Sequence, residues 1–307
     1  MLSIYTLKQT TKASKYYIED NYYAKENDLL LGVWFGKGKE LLNLTENANL
    51  EDFTHKLQGK LSSNITMKQT TKKRRPGYDL TFSAPKSVSI LGVIAKDEQV
   101  LNAHRMAVDE VLNYIEKNYA ATRINTNGEI SIEKTSNLLV AKFEHTDSRE
   151  LDPNLHTHCV VMNATLRSDL KWRTLYFDQV YLDKILLGVI YRGKLAQLLM
   201  KAGFEIVQTS HKGLCEFIGI PDNLIQQFSK RREQINQALK DLKLTGGKAA
   251  QIANFATRRQ KTEVSIEHIE SAWTVELQKC GLTIDWLLDY CNQAKARDPV
   301  VIPNPYN

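Results

Sequence analysis

The stretch that most limits what this chain can become is FEHTDSRELDPNLHTHCVVMNATL, residues 143–166. It reads as the ends of two strands, TSNLLVAKFEH and NLHTHCVVMNATL, joined by a polar loop, and it holds three of the seven histidines: His145, His156 and His158. Side chains on a strand alternate between faces, so His156 and His158 point the same way. Antiparallel pairing across the loop brings His145 onto that face near the loop end. A polar sheet edge would account for one histidine; an H-x-H strand with a third ring from its neighbour favours a metal site. Three neutral imidazoles with open coordination positions make a catalytic rather than a structural site. By softness, zinc, manganese or nickel suits such nitrogen donors better than magnesium. Asp79, in the otherwise apolar run GYDLTFS, is costly there unless paired. A bond to a ligand histidine or to an attacking group would justify it, and an aspartate near solvent at a strand start is the plainer alternative.

The rest of the chain supports an α+β fold. Residues 1–30 read as a short strand and then a helix bearing tyrosines. GYDLTFSAPKSVSILGVI (77–94) is rich in Thr, Phe, Val and Ile and predicts two strands, or one bent at Pro85. Helical periodicity over 97–119 puts Val100, Met106, Val111, Leu112 and Ile115 on or near one stripe. ATRINTNGEISIEK predicts a hairpin turning at Asn127-Gly128. A helix from about 182 to 202 precedes a strand pair, FEIVQTS and GLCEFIGI. Beyond Pro221 the sequence turns helical and rich in Gln, Lys and Arg. The expected organisation is a domain over 1–220, a basic helical part over 221–297, and a linker-like tail over 298–307 with three of the seven prolines.

Composition removes several classes. No run approaches the roughly eighteen apolar residues of a membrane span, so membrane insertion is not expected. The N-terminus has no signal-peptide core, which reads against secretion. Four widely spaced cysteines without a CxxC pair fit buried thiols in a reducing cytoplasm rather than a disulfide scaffold. The net charge of +6 is mild, but nine Lys/Arg face four acids between residues 222 and 263, and KKRR stands at 72–75. Such clusters are either solvated faces or a polyanion-binding surface.

SKYYIEDNYYAK places Tyr16, Tyr17, Tyr22 and Tyr23 within eight residues. Packing seldom needs so many hydroxyls together, although an interface is a fair account. Tyrosine, with a pKa of about 10, needs a base or a metal-polarised electrophile to act as a nucleophile. Attack by water would discard a phosphodiester. Attack by tyrosine stores it as a phosphotyrosine that a 3′-hydroxyl can later reverse. That chemistry suits an enzyme that cuts and rejoins DNA.

The pieces MLSIYTLKQ, the doubled tyrosines, GKGKELLNL, RPGYDLTFSAPKSVSI, HTHCVVMNAT and KWRTL occur in one order. In this the chain resembles the conjugative relaxases of the MobF (TrwC/TraI) class, within the HUH endonucleases, from Met1 to roughly Lys279. The resemblance implies an antiparallel sheet palm, circularly permuted relative to replication initiators, flanked by helices and carrying helical fingers. It implies nicking and rejoining of one strand at the nic site of an origin of transfer, giving a 5′-phosphotyrosine and a free 3′-hydroxyl. Under it, His145, His156 and His158 match the metal triad, Asp79 the orienting acid and Tyr16 the initiating nucleophile beside Tyr17. Tyr22/Tyr23 match the pair used in the second transesterification. The short gap between the pairs leaves open which of Tyr22 and Tyr23 acts, and Thr157 stands where the HUH motif has a hydrophobic residue. The family implies Mg²⁺ or Mn²⁺, single-stranded or hairpin DNA at the origin, and relaxosome accessory proteins with a secretion coupling protein. It also implies a bacterial cytoplasmic location, export to the recipient with the DNA, and in many members a following helicase. Arg74, Arg75, Lys86, Arg167 and Arg173 are candidate phosphate contacts. Lys230, Arg231, Arg232, Arg258 and Arg259 belong to the expected fingers.

Three rivals differ in what they predict. A metal-dependent phosphodiesterase using water would form no covalent adduct. A DNA-binding module without catalysis would ignore a chelator. A replication-initiator HUH nuclease carries its tyrosine after the histidine motif, whereas here the tyrosines come first.

Overall fold

The structure, a computed structural model, describes residues 1–8, 32–67, 75–210, 213–241 and 264–298. Its chain divides into two compact units that interleave along the sequence: Met1–Ser83, His104–His145 and His156–Leu195 in one, and Ala84–Ala103, Thr146–Leu155 and Ala196–Asn307 in the other.

The first unit is built on a five-stranded sheet. Its strands are β1 (Leu2–Thr6), β2 (Val33–Phe35), β3 (Gly77–Ser83), β6 (Val140–Asp147) and β7 (Pro153–Met162), ordered β1-β3-β7-β6-β2. β1 pairs antiparallel with β3, β3 with β7, and β2 with β6. β3 and β7 lie in the interior of the sheet and are buried along most of their length, which matches Tyr78, Leu80 and Phe82 on β3 and the run from Cys159 to Met162 on β7. The short connection from β6 to β7 permits only antiparallel neighbours.

Period-two alternation sorts the residues of this sheet. Ala141 and Phe143 on β6, and Val160 and Met162 on β7, join Trp34, Phe53, Leu57 and Leu61 in one buried cluster. Two helices follow β2, α1 (Lys37–Leu41) and α2 (Leu50–Gln58), and α2 supplies Phe53, whose ring meets Phe143 edge-on at 4.9 Å. The intervening β6 residues, Lys142 and Glu144, face the other way and pair with Asp109 and Arg105 of helix α4 (Glu98–Tyr119) at 2.6 and 2.8 Å. After the short helix α5 (Asp178–Leu182), helix α6 (Lys184–Lys201) contributes Tyr191, whose ring lies 5.3 Å from Phe82 of β3. A separate hairpin, β4 (Ala121–Thr126) with β5 (Glu129–Lys134), turns at Asn127 and Gly128, both with positive φ (55° and 95°), and a short pair, β8 (Thr165–Leu166) with β9 (Trp172–Arg173), follows β7. Asn-Gly is the dipeptide that such a two-residue turn selects.

Two sequence expectations need correction. The second half of 77–94 is not a strand but helix α3 (Lys86–Val93), which starts after Pro85 and is bonded there by the Ser89 hydroxyl to the Pro85 carbonyl. Ser87 to Val93 are all buried, and a short apolar run buried on every side reads the same as strand or helix. Met106 is 54% exposed, whereas Val100, Val111, Leu112 and Ile115 are buried. The buried face of α4 runs through His104, Ala107 and Val108, one step away from Met106.

The second unit is mainly helical. It holds α3, the hairpin β10 (Ile206–Gln208) with β11 (Cys215–Phe217), and α7 (Asp222–Gln227), α8 (Lys230–Asp241), α9 (Ile266–Lys279) and α10 (Ile284–Lys295). Its 146–155 segment is tied by the Trp273 indole donating to the Leu151 carbonyl at 2.6 Å, and by the Leu155 amide donating to Ser89 Oγ at 3.1 Å. Cys159, Cys215 and Cys291 are buried thiols, whereas Cys280 is half-buried and not buried as expected. Among the described residues no helix is long and apolar enough to cross a membrane.

Candidate metal centre

The three histidines come together. Each pair of rings among His145, His156 and His158 has its centroids 5.2 Å apart, with interplanar angles of 83°, 62° and 73°. Rings at such steep mutual angles surround a common point rather than stack. One ligand nitrogen from each lies within 4.8 Å of the others. β7 supplies His156 and His158 through the i, i+2 spacing, and β6 supplies His145. His145 and His158 are buried and His156 is half-buried, so the cluster has a wet side.

Asp79 reaches this cluster across the sheet. On β3, Thr81 pairs with His158 and Asp79 with Val160, which keeps Asp79, Thr81 and both β7 histidines on one face. His158 Nδ1 lies 2.9 and 3.1 Å from the two Asp79 oxygens and 3.1 Å from Thr81 Oγ1. The Thr81 hydroxyl donates in turn to Asp79 at 3.3 Å. With the proton held on Nδ1 between acceptors, the lone pair of His158 is left on Nε2. That is how metal-binding histidines are ordinarily oriented and made more basic. The donor set therefore fits a divalent cation. Asp79 is only 4% exposed, and His158 and Thr81 are the polar company that makes its burial tolerable.

Behind the histidines, on the opposite face, lies a polar chain that the sequence reading did not anticipate. Thr157 Oγ1 is 2.9 Å from His104 Nε2, and His104 Nδ1 is 2.7 Å from the Tyr191 hydroxyl. His104 is fully buried, and desolvation pushes its pKa down to about 3, so the ring is neutral. Thr81 was readable from its two-residue offset to Asp79; nothing local in the sequence links residues 104, 157 and 191.

The other predicted site residues are placed as follows. Tyr16, Tyr17, Tyr22, Tyr23, Arg74, Arg258 and Arg259 lie outside the described residues. Arg75 is exposed, and its side chain bonds the Tyr78 hydroxyl, whose pKa burial raises and Arg75 partly restores. Arg167 is engaged with Asp169 at 2.5 Å and Glu133 at 3.7 Å, and Arg173 reaches Asp169 at 3.7 Å. In the second unit, Lys86 donates to the Pro153 carbonyl at 2.7 Å; burial brings its pKa down to about 8, against the pull of Asp152 and Glu216. Lys230 pairs with Glu276 at 3.0 Å, Arg231 donates to Gln234 at 3.1 Å, and Arg232 is exposed.

Comparison with known proteins is specific. Residues 5–280 match the family model described as TrwC relaxase. The multifunctional conjugation protein TraI of Escherichia coli K12 is 34% identical over 95% of this chain, which spans 17% of that protein's length. A metal-bound structure of conjugative relaxase TrwC with OriT DNA superposes with a TM-score of 0.84 at 34% identity, covering 92% of this chain and 100% of the other. A TrwC complex with a 27-mer DNA comprising the recognition hairpin and the cleavage site gives a TM-score of 0.83 at the same identity and coverage.

Proposed function

This chain belongs to the TrwC relaxase family, and from that premise we propose that it nicks and rejoins one DNA strand at the nic site of a conjugative origin of transfer. The observation that carries the reading is the triad of His145, His156 and His158 with His158 tied to Asp79, on one face of an antiparallel sheet.

The bonds balance without hydrolysis. The Tyr16 oxygen forms a bond to phosphorus as the bond to the 3′ oxygen breaks. The phenol gives up its proton and the departing 3′ oxygen takes one up. A 5′-phosphotyrosine and a free 3′-hydroxyl result, and the reverse attack reseals the strand. Tyr17 flanks the nucleophile, and Tyr22 or Tyr23 serves the second transesterification. His145, His156 and His158 would hold a divalent cation, which would supply Lewis acidity to the scissile phosphate. The reading takes it to be Mg²⁺ or Mn²⁺; the imidazole donors favour the latter. Asp79 orients His158 and fixes which nitrogen carries the proton.

The DNA partner is single-stranded or hairpin DNA at the origin. Among the described candidate cations of the first unit, Arg75 is the exposed one, and Arg167 and Arg173 are half-buried. Arg167, Arg173 and Lys86 are engaged with protein groups and would have to exchange partners to hold phosphate. Residues 221–297, with Lys230, Arg231, Arg232, Arg258 and Arg259, are the proposed fingers. Accessory proteins, a secretion coupling protein, a cytoplasmic location and transfer with the DNA belong to the same reading.

The test is cleavage of an end-labelled single strand from the cognate origin, with Mg²⁺ or Mn²⁺ and with chelator. One metal-dependent cut that leaves a free 3′-hydroxyl and no free 5′-phosphate supports the proposal. A free 5′-phosphate would identify water as the nucleophile and overturn it.

A further inference from the structure

The motif residue between the two β7 ligands is a threonine, and its surroundings give that threonine a task. We infer that Thr157, His104 and Tyr191 form a positioning relay that holds the His156–His158 strand from behind, so that both rings keep their aim at the metal site. The inference rests on reading the triad as a metal site.

Thr157 points away from the triad by strand alternation, and it lies opposite Phe82 in the β3–β7 register. Its hydroxyl meets His104 Nε2 at 2.9 Å, and His104 Nδ1 meets the Tyr191 hydroxyl at 2.7 Å. His104 is fully buried in α4, and Tyr191 is fully buried in α6. The Tyr191 ring is itself fixed, 5.3 Å from Phe82 and 5.8 Å edge-on from His104. Helix α4 thus reaches the Thr157 hydroxyl directly through His104, and α6 backs that histidine through Tyr191, at the residue that separates the ligands.

A hydrophobic residue at 157 would pack against these helices, but packing tolerates small rotations and slips. A directional bond does not. A slip of one residue would exchange the ligand face for the packed face, and every member of the relay would lose its partner. Satisfied buried polar networks are high-stakes in this way: they specify one arrangement strongly. Removing part of the support around a metal ligand ordinarily weakens metal binding by about 10–100-fold, and support one step further out sits at the low end of that range.

The experiment is titration calorimetry of Mn²⁺ into the whole DNA-free chain, with the thermal midpoint of each metal-free variant measured alongside. Thr157→Val keeps the branched shape and deletes the hydroxyl; Thr157→Ser keeps the hydroxyl and deletes the methyl. The relay predicts that Thr157→Val weakens Mn²⁺ binding about tenfold while Thr157→Ser stays near wild type. His104→Phe should lose a similar factor, and the double variant Thr157→Val/His104→Phe little more than either alone, because both act through one bond. If Val binds as well as wild type, or Ser does worse than Val, the position acts by packing and the relay is wrong. His156→Ala separates the two levels: if it binds Mn²⁺ like wild type, the metal reading itself fails, whereas if it loses binding while Val does not, only the relay falls.

Discussion

Removing the Asp79 carboxylate tests how far a buried partner sets the strength of a metal ligand. Asp79 is 4% exposed and accepts from His158 Nδ1 at 2.9 Å, with Thr81 Oγ1 3.1 Å from the same nitrogen. A hydrogen bond to a charged acceptor contributes about 1.5–3 kcal/mol. Independently, losing the partner of a metal-bound histidine lowers metal affinity by about 10–100-fold, or about 1.4–2.7 kcal/mol. The two ranges overlap, so Asp79→Ala should weaken Mn²⁺ binding by one to two orders of magnitude. Asp79→Asn keeps an acceptor oxygen but no charge and should lose about tenfold. Thr81 remains as a fallback acceptor, so Thr81→Val added to Asp79→Ala should cost more than Thr81→Val costs alone in wild type. The assay is calorimetric titration of the DNA-free chain. Binding by Asp79→Ala within twofold of wild type would refute the argument, because the carboxylate would then not be supporting the ligand.

Other consequences follow from the same structure. His104 is held neutral with a pKa of about 3, below the ordinary 6.5, so between those values the unfolded chain takes up a proton that the folded chain refuses. Stability should therefore fall as pH drops from about 6.5 toward 3, by up to about 1.4 kcal/mol per pH unit, and be insensitive to this group above that window; His104→Phe should flatten the slope in urea unfolding across pH. Phe53→Ala empties a fully buried site against Phe143 and should cost about 3–5 kcal/mol by denaturant unfolding, with a loss under 1 kcal/mol contradicting its place in the core. Arg75→Ala should weaken binding of single strands of any sequence and reduce the salt slope of the binding constant by about one, whereas an unchanged slope would remove Arg75 from the phosphate contacts.

How much of this was legible in the sequence depended on how local the cause was. The triad was, because strand alternation alone puts residues 156 and 158 on one face and a short loop returns residue 145 to it. The Asn127-Gly128 turn was, because its two positive φ angles demand those residue types. The strand expected after Pro85 is a helix, since SVSILGV is buried all round and carries no periodicity to read. Lys86 was read as a candidate phosphate contact. Its nitrogen donates to the Pro153 carbonyl, a partner 67 residues away that no local pattern reveals. Thr157 looked like a departure from its motif; its reason lies 53 residues upstream, in His104.

The most direct test of the central claim is to trap the covalent product. The protein would be incubated with single-stranded DNA from its cognate origin and Mn²⁺, denatured and digested, and the DNA-linked peptide identified by mass. The account predicts a metal-dependent 5′-phosphodiester adduct on Tyr16 that disappears in Tyr16→Phe and in His156→Ala. Cleavage that continues in Tyr16→Phe with no adduct on any of the four tyrosines would contradict it.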